Sequence, residues 1–387
     1  MRLYIFLMAA ALAGVGCGEG SANKSRKQKT PQEYAPKLPK LTALEQKRYH
    51  DAFAAYLQPL VRSGFNGGIL IAKNGTVVYE HYTGWANHQK GDSINAETPM
   101  QIASTTKTFT GGAILQLVQE NKLQLSDSLG KFFPGFPYPG ITVKMLLNHR
   151  SGLPNYLYYL EGGLWDKKNF LTNADVLNTL MTLKPGRSSN PDTRFQYCNT
   201  NYVLLALIVE KLSGMPFPQY LKENIFEPLG MTHSFVYQPN DTAVHTISYN
   251  AGGGIWGMDY TDGPYGDKNI YSTPRDLLKW DQALYANKLI SKALLDSAFT
   301  SYSNERPGQH NYGLGFRLLN LENGKKVIYH NGRWHGFNAA FSRLPDEKAT
   351  VIILGNRYRS SIYTVARKAY NLFGDYDPGA KGFEVTE

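Results

Sequence analysis

The 387-residue sequence predicts an α+β fold: an antiparallel sheet of about five strands, flanked by helices from both chain ends, with an all-helical region inserted. Three observations carry this. β-rich runs lie near both ends of the folded part, helical periodicity fills the stretch between them, and amphipathic helices bracket the whole.

From Leu41 to Val61, Leu44, Phe53, Tyr56, Leu57 and Leu60 recur at helical spacing, and the stretch ends near Gly64. Gly68 to Ala72 and Val77 to Tyr82 then flank Asn74-Gly75, a strong hairpin signal that predicts two antiparallel strands. Lys326 to His330, Asn338 to Leu344 and Thr350 to Leu354 predict three more, and Ile362 to Phe373 a C-terminal helix. The region between them contains the predicted helices Thr105 to Asn121, Thr142 to His149, Asn201 to Leu212 and Pro274 to Tyr285. Residues 41–374 read as one domain, with a sheet lobe of 41–100 and 290–374, a helical lobe of 101–289 and a cleft between lobes. Residues 375–387 form a tail.

Residues 1–17 read as an export signal: Arg2 is followed by an apolar run from Leu3 to Val15, too short to span a bilayer. Small residues around Cys17 resemble a bacterial lipoprotein signal, which implies lipidation of that thiol and a periplasmic or cell-surface location. Gly14 departs from that pattern, and a plain signal peptide is the alternative. Residues 18–40, rich in Ser, Lys, Gln, Pro and Gly, read as a flexible tether. With Cys17 lipidated or removed, Cys198 is the one thiol left and no intramolecular disulfide can form. Much of the net charge of +10 is concentrated in Lys24 to Lys40. Export argues against nucleic acid as partner and for anionic lipid or cell wall. A monomer is expected.

Ser104-Thr-Thr-Lys107 opens a predicted helix, and the three-residue spacing stacks the Ser and Lys side chains on one face. Phe109, Ala113, Ile114, Leu115, Leu117 and Val118 cover most of that helix, so burial is expected to depress the Lys107 pKa. A depressed lysine beside a hydroxyl activates serine as a nucleophile, and amides at the helix start can bind an oxyanion. A bare S-x-x-K, by contrast, is most often a serine N-cap with an exposed lysine.

The wider string decides between these. Met100 to Gly111, Leu146-Leu-Asn-His-Arg-Ser-Gly-Leu-Pro154, Tyr197-Cys-Asn199, Pro228-Leu-Gly-Met231 and His330-Asn-Gly332, in that order, resemble the class C β-lactamase and D-Ala-D-Ala peptidase family of serine hydrolases. The resemblance runs from about Asn66 to Asn356. It implies that Ser104 is acylated, Lys107 is its partner, Tyr197 is a base and Asn199 binds substrate. Alternation in an extended segment places Tyr197 and Asn199 on one side and Cys198 on the other, as packing rather than a catalytic thiol. In the third motif His330 and Gly332 share a face, and Gly332 leaves room for substrate along the strand. By resemblance the Arg333 amide joins that of Ser104 in an oxyanion hole.

Typical β-lactamases carry Lys and a hydroxyl residue where this chain has His330 and Asn331. A histidine is only partly charged at neutral pH, so the departure weakens carboxylate binding and moves the expectation toward a D-alanyl peptidase or esterase. β-Lactam hydrolysis is the alternative, and a silent peptidoglycan- or peptide-binding protein the rival from another class. The substrate class includes the peptidoglycan stem peptide. His149 is expected to shape a loop beneath the cleft, and Tyr156 to Tyr159 and Trp256 to Tyr265 to lie in loops beside it. No metal-ligand spacing or phosphate loop stands out, so neither metal nor cofactor is expected.

Overall fold

The structure is a computed structural model that describes residues 31–239 and 246–377. Cys17, the export segment, most of the tether and residues 378–387 lie outside the described residues. No helix among the described residues is long and apolar enough to cross a membrane.

Helix α1 spans Ala43–Arg62. Thr42 starts it through a capping box in which its side chain accepts from the Glu45 amide while Glu45 accepts from the Thr42 amide. Strands β1 (Gly67–Lys73) and β2 (Thr76–Thr83) follow. The turn between them needs a left-handed backbone at both central residues, which Asn74 (φ 51°) and Gly75 (φ 74°) supply.

The other strands of the main sheet are β3 (His310–Tyr312), β4 (Arg317–Asn320), β5 (Lys326–Trp334), β6 (Phe337–Leu344) and β7 (Ala349–Gly355). The sheet has seven strands, in the order β2-β1-β7-β6-β5-β4-β3, all antiparallel. The sequence predicts about five; β3 and β4, at three and four residues, are too short for an alternating pattern to declare itself. Pairing of β1 with β7 joins the two chain ends.

β6 and β7 are buried along their whole length, because helices cover both faces. Ile69, Ile71, Val351 and Ile353 pack with Phe53 and Leu57 of α1 and with Ile362 and Ala366 of the C-terminal helix α5 (Ser361–Ala369). Leu70, Phe341, Ile352 and Leu354 face the other way, into a larger core. That core is built on α2 (Thr106–Gln119), α3 (Asn199–Ser213) and α4 (Pro274–Ala286).

The molecule departs from expectation in two places. The inserted region is not all helical: Met100–Gln101, Ile270–Ser272 and Phe235–Val236 form a small antiparallel sheet of two- and three-residue strands, too brief for a sequence signal. The tether does not extend to residue 40 as a free segment. Pro31–Tyr34 forms a 3-10 turn, Tyr34 packs on the larger core, and Asn74 Nδ2 donates to the Pro39 carbonyl at 3.1 Å. Composition registers the polar residues of this stretch but not the single aromatic anchor.

Candidate active site

Ser104 sits in a 3-10 turn, Ala103–Thr105, that leads into α2. Three ties hold the turn. The Ile102 amide donates to the Ile270 carbonyl at 2.9 Å, Thr105 Oγ1 donates to the His330 carbonyl at 3.0 Å, and the Thr105 amide donates to the Ile102 carbonyl at 3.0 Å. Ala103 is in the left-handed region (φ 46°), a conformation that costs an L-residue on the order of 1 kcal/mol and is kept only where surrounding contacts over-determine it.

Lys107, one turn along, is fully buried. Its Nζ donates to Ser104 Oγ at 3.0 Å, Asn199 Oδ1 at 2.8 Å and the Asp267 carbonyl at 2.8 Å. The amide oxygen and the carbonyl can only accept, so they hold two N–H groups whether the amine is charged or neutral. When the proton leaves, the lone pair turns away from these two acceptors. The geometry thus lets the basic form of Lys107 face the Ser104 hydroxyl at 3.0 Å.

Asn199 opens α3, one residue after Cys198, whose extended backbone (φ −146°) ends the preceding segment. The helix starts two residues before the predicted Asn201, yet Tyr197 and Asn199 still both border the cleft and Cys198 is buried. Burial pushes the Cys198 thiol up to about 11, which keeps it protonated. Lys107 Nζ lies 4.9 Å from the centre of the Tyr197 ring, and the Arg317 guanidinium 5.1 Å from the same centre.

The third motif differs from expectation in detail. His330 is completely buried, with Nε2 at 3.0 Å from Tyr312 Oη and Nδ1 at 2.7 Å from the Asn331 carbonyl. Burial, then the charges of Arg317 and Lys107, hold its pKa well below the usual imidazole value. It is neutral at pH 7 rather than partly charged, and it stands behind the cleft wall. Asn331 borders the cleft, but alternation places it on the face of Val327 and Tyr329, which packs against the terminal helices. Gly332 borders the cleft, and close backbone approach also requires a glycine there. A Cβ there would lie 2.2 Å from the Ile102 carbonyl oxygen and 2.9 Å from the Ser104 nitrogen. Strand β5 and the Ser104 turn thus converge at Gly332. Arg333 itself is exposed. β4 pairs with β5 only as far as Tyr329, so the β5 edge from His330 onward is not covered by β4.

The cleft, of about 410 Å³, brings together Ser104, Tyr197, Asn199, Asn331, Gly332 and Arg333. It also contains residues that carried no sequence signal. Arg317, from β4, is a permanent cation beside Tyr197. Lys268 is buried, its Nζ donating to Tyr156 Oη at 2.5 Å and standing 4.7 Å from the centre of the Trp334 ring. Burial lowers its pKa, against the pull of the neighbouring Asp267 and Asp262. Among the described residues, Asp259, Asp262 and His335 bring possible metal donors within 4.8 Å of one another. Asp262 there accepts from Trp334 Nε1 at 2.6 Å, faces His335 Nε2 at 2.9 Å and accepts the Asp259 amide at 2.6 Å, so hydrogen bonds already engage both of its oxygens.

A model of the family described as Beta-lactamase matches residues 53–372. A penicillin-binding protein of Bacillus subtilis (strain 168) is 33% identical over 319 residues, which is 78% of this chain and 70% of that protein. The structure of the octameric penicillin-binding protein homologue from Pyrococcus abyssi superposes with a TM-score of 0.70 at 28% identity, covering 86% of this chain and 78% of that one. The D-amino acid amidase from Ochrobactrum anthropi SV3, complexed with L-phenylalanine amide, shares the fold with a TM-score of 0.68 at 23% identity, covering 84% of this chain and 97% of that one.

Proposed function

We propose, from the premise that the chain belongs to the β-lactamase family of serine hydrolases, that it cleaves D-alanyl-type peptide bonds, or related esters, through a Ser104 acyl-enzyme. The observation that carries this is the position of Lys107 Nζ, held by two obligate acceptors and facing Ser104 Oγ at 3.0 Å.

In the reaction, neutral Lys107 takes the Ser104 proton as Oγ attacks the carbonyl carbon. The oxyanion is held by the Ser104 and Arg333 amides, each donor contributing roughly 3 kcal/mol to the transition state. Tyr197 relays the proton to the leaving nitrogen or oxygen, the C–N or C–O bond breaks, and water then releases the acyl group. Substrate extends along the β5 edge left uncovered beyond Tyr329. Because His330 is neutral, Arg317 supplies the cation for a substrate carboxylate, as a planar donor fork suits that group.

A β-lactam presents the same carbonyl and carboxylate, so penicillin is expected to acylate Ser104, with slow release marking a peptidase and fast release a β-lactamase. Ser104→Ala tests the assignment. Turnover of a p-nitrophenyl ester and the covalent penicillin adduct seen by intact mass should both disappear; turnover equal to that of the parent protein would show that another group does the chemistry, or that the protein only binds. Lipidation at Cys17 and attachment to a bacterial membrane, as a monomer, complete the proposal. Cys17→Ser should move the protein from the membrane to the soluble fraction, and an unchanged distribution would remove the anchor.

A further inference from the structure

Directly behind Tyr197, outside the cleft, lies His149. It follows the short helix Val143–Leu147 and holds a left-handed backbone (φ 56°). Three contacts converge from this one residue onto the Tyr197 segment. The His149 carbonyl accepts the Gln196 amide at 2.8 Å, His149 Nδ1 accepts the Cys198 amide at 3.1 Å, and the imidazole packs on the Tyr197 ring with centroids 4.3 Å apart. The residues before and after Tyr197 are therefore both tied to His149, and the side chain between them rests on its ring.

The tautomer follows from the neighbours. Asn201 Oδ1 accepts from Ser151 Oγ at 2.7 Å, which turns Asn201 Nδ2 toward His149 Nδ1 at 3.3 Å. Nδ1 thus meets two N–H donors and must carry the lone pair, leaving the proton on Nε2. Nε2 is buried without a hydrogen-bond partner, among the rings of Phe195, Tyr202 and Tyr312. A second proton would turn Nδ1 into a donor facing two donors. A left-handed backbone, an orphaned ring nitrogen and a fully buried imidazole are each unfavourable, and their coincidence beneath one cleft residue calls for a reason.

We infer that His149 is the positioning residue for Tyr197: a locked, neutral imidazole that brackets the tyrosine and fixes its ring relative to Ser104 and Lys107. It touches neither substrate nor the reacting atoms. The inference rests on the role proposed above for Tyr197.

Two replacements separate its parts. His149→Asn keeps an acceptor at the place of Nδ1 and suits the left-handed backbone, whereas His149→Phe keeps a ring and loses the acceptor. With the full chain and a p-nitrophenyl ester, His149→Phe should lower kcat/KM by about tenfold or more, mostly in kcat, and His149→Asn should recover it to within about threefold of the parent. In a Tyr197→Phe background neither change should alter the rate by more than about twofold, because the group being positioned is gone. Equal losses in both backgrounds, or undiminished activity of His149→Phe, would overturn the inference. Should His149→Phe not fold, the cycle of His149→Asn with His149→Gln in both backgrounds decides by the same criterion. An ester turned over equally by the parent and by Ser104→Ala would instead defeat the proposed function itself.

Discussion

Lys107 faces the Ser104 hydroxyl because it has little freedom to point elsewhere. Asn199 and the Asp267 carbonyl come from parts of the chain far from α2, and between them they fix the lysine amine. Gly332 makes a comparable demand, since any side chain there collides with the turn that carries Ser104. Arg317 sets the charge of the cleft beside Tyr197. Arg317→Gln should reduce kcat/KM on a peptide with a free C-terminal carboxylate by about tenfold to a hundredfold, and by distinctly less on an uncharged ester. Parallel losses on both substrates would remove the carboxylate role. The S-x-x-K, Tyr197-x-Asn199 and His330-x-Gly332 spacings were all legible in the sequence. The orientation of His330, neutral behind the wall, was not: it depends on the hydroxyl of Tyr312 from β3 and on the charge of Arg317 from β4.

At the level of elements, the sheet is tied to the helical side by a buried ionic group. Arg343 of β6 donates to Asp281 of α4, which also accepts from Thr350 of β7. Burial raises the Asp281 pKa while Arg343 and Thr350 hold it down. Such a pair adds little net stability, but removing one member strands the other. Arg343→Met should therefore destabilise the protein by about 3–5 kcal/mol, and adding Asp281→Leu should recover most of that loss. Urea unfolding measures both, and additive losses would mean that packing rather than charge dominates. Elements with a long period were legible: α1, α2, α3, α4 and the hairpin of β1 and β2 lie within a few residues of their predicted bounds. β3, β4 and the small sheet around Met100–Gln101 were not. Two to four residues carry no periodicity, and their pairing is dictated by distant partners.

For the molecule as a whole, two buried histidines couple stability to pH. Burial first, then nearby positive charge, holds His149 and His330 well below the value near 6.5 expected in the unfolded chain. The unfolded chain takes up protons that the native chain refuses, so their contribution is complete above about pH 6.5 and is lost as pH falls below it toward the folded values. With both histidines contributing, the unfolding free energy should decline by up to about 2.7 kcal/mol per pH unit in that window, and His330→Gln should remove about half of the slope. A slope unchanged by that substitution would assign the effect to other groups. Sequence alone determined the α+β class and the pairing of both chain ends within one sheet, and it singled out Ser104 and Lys107 as the candidate nucleophile and its partner. These rest on local periodicity, turn chemistry and short spacings. Tertiary structure alone decided that the sheet has seven strands, that His330 is a neutral buried group, that Gly332 serves close backbone approach, and that Arg317 and His149 flank Tyr197. Each of those depends on contacts between residues distant in the chain, which no local pattern records.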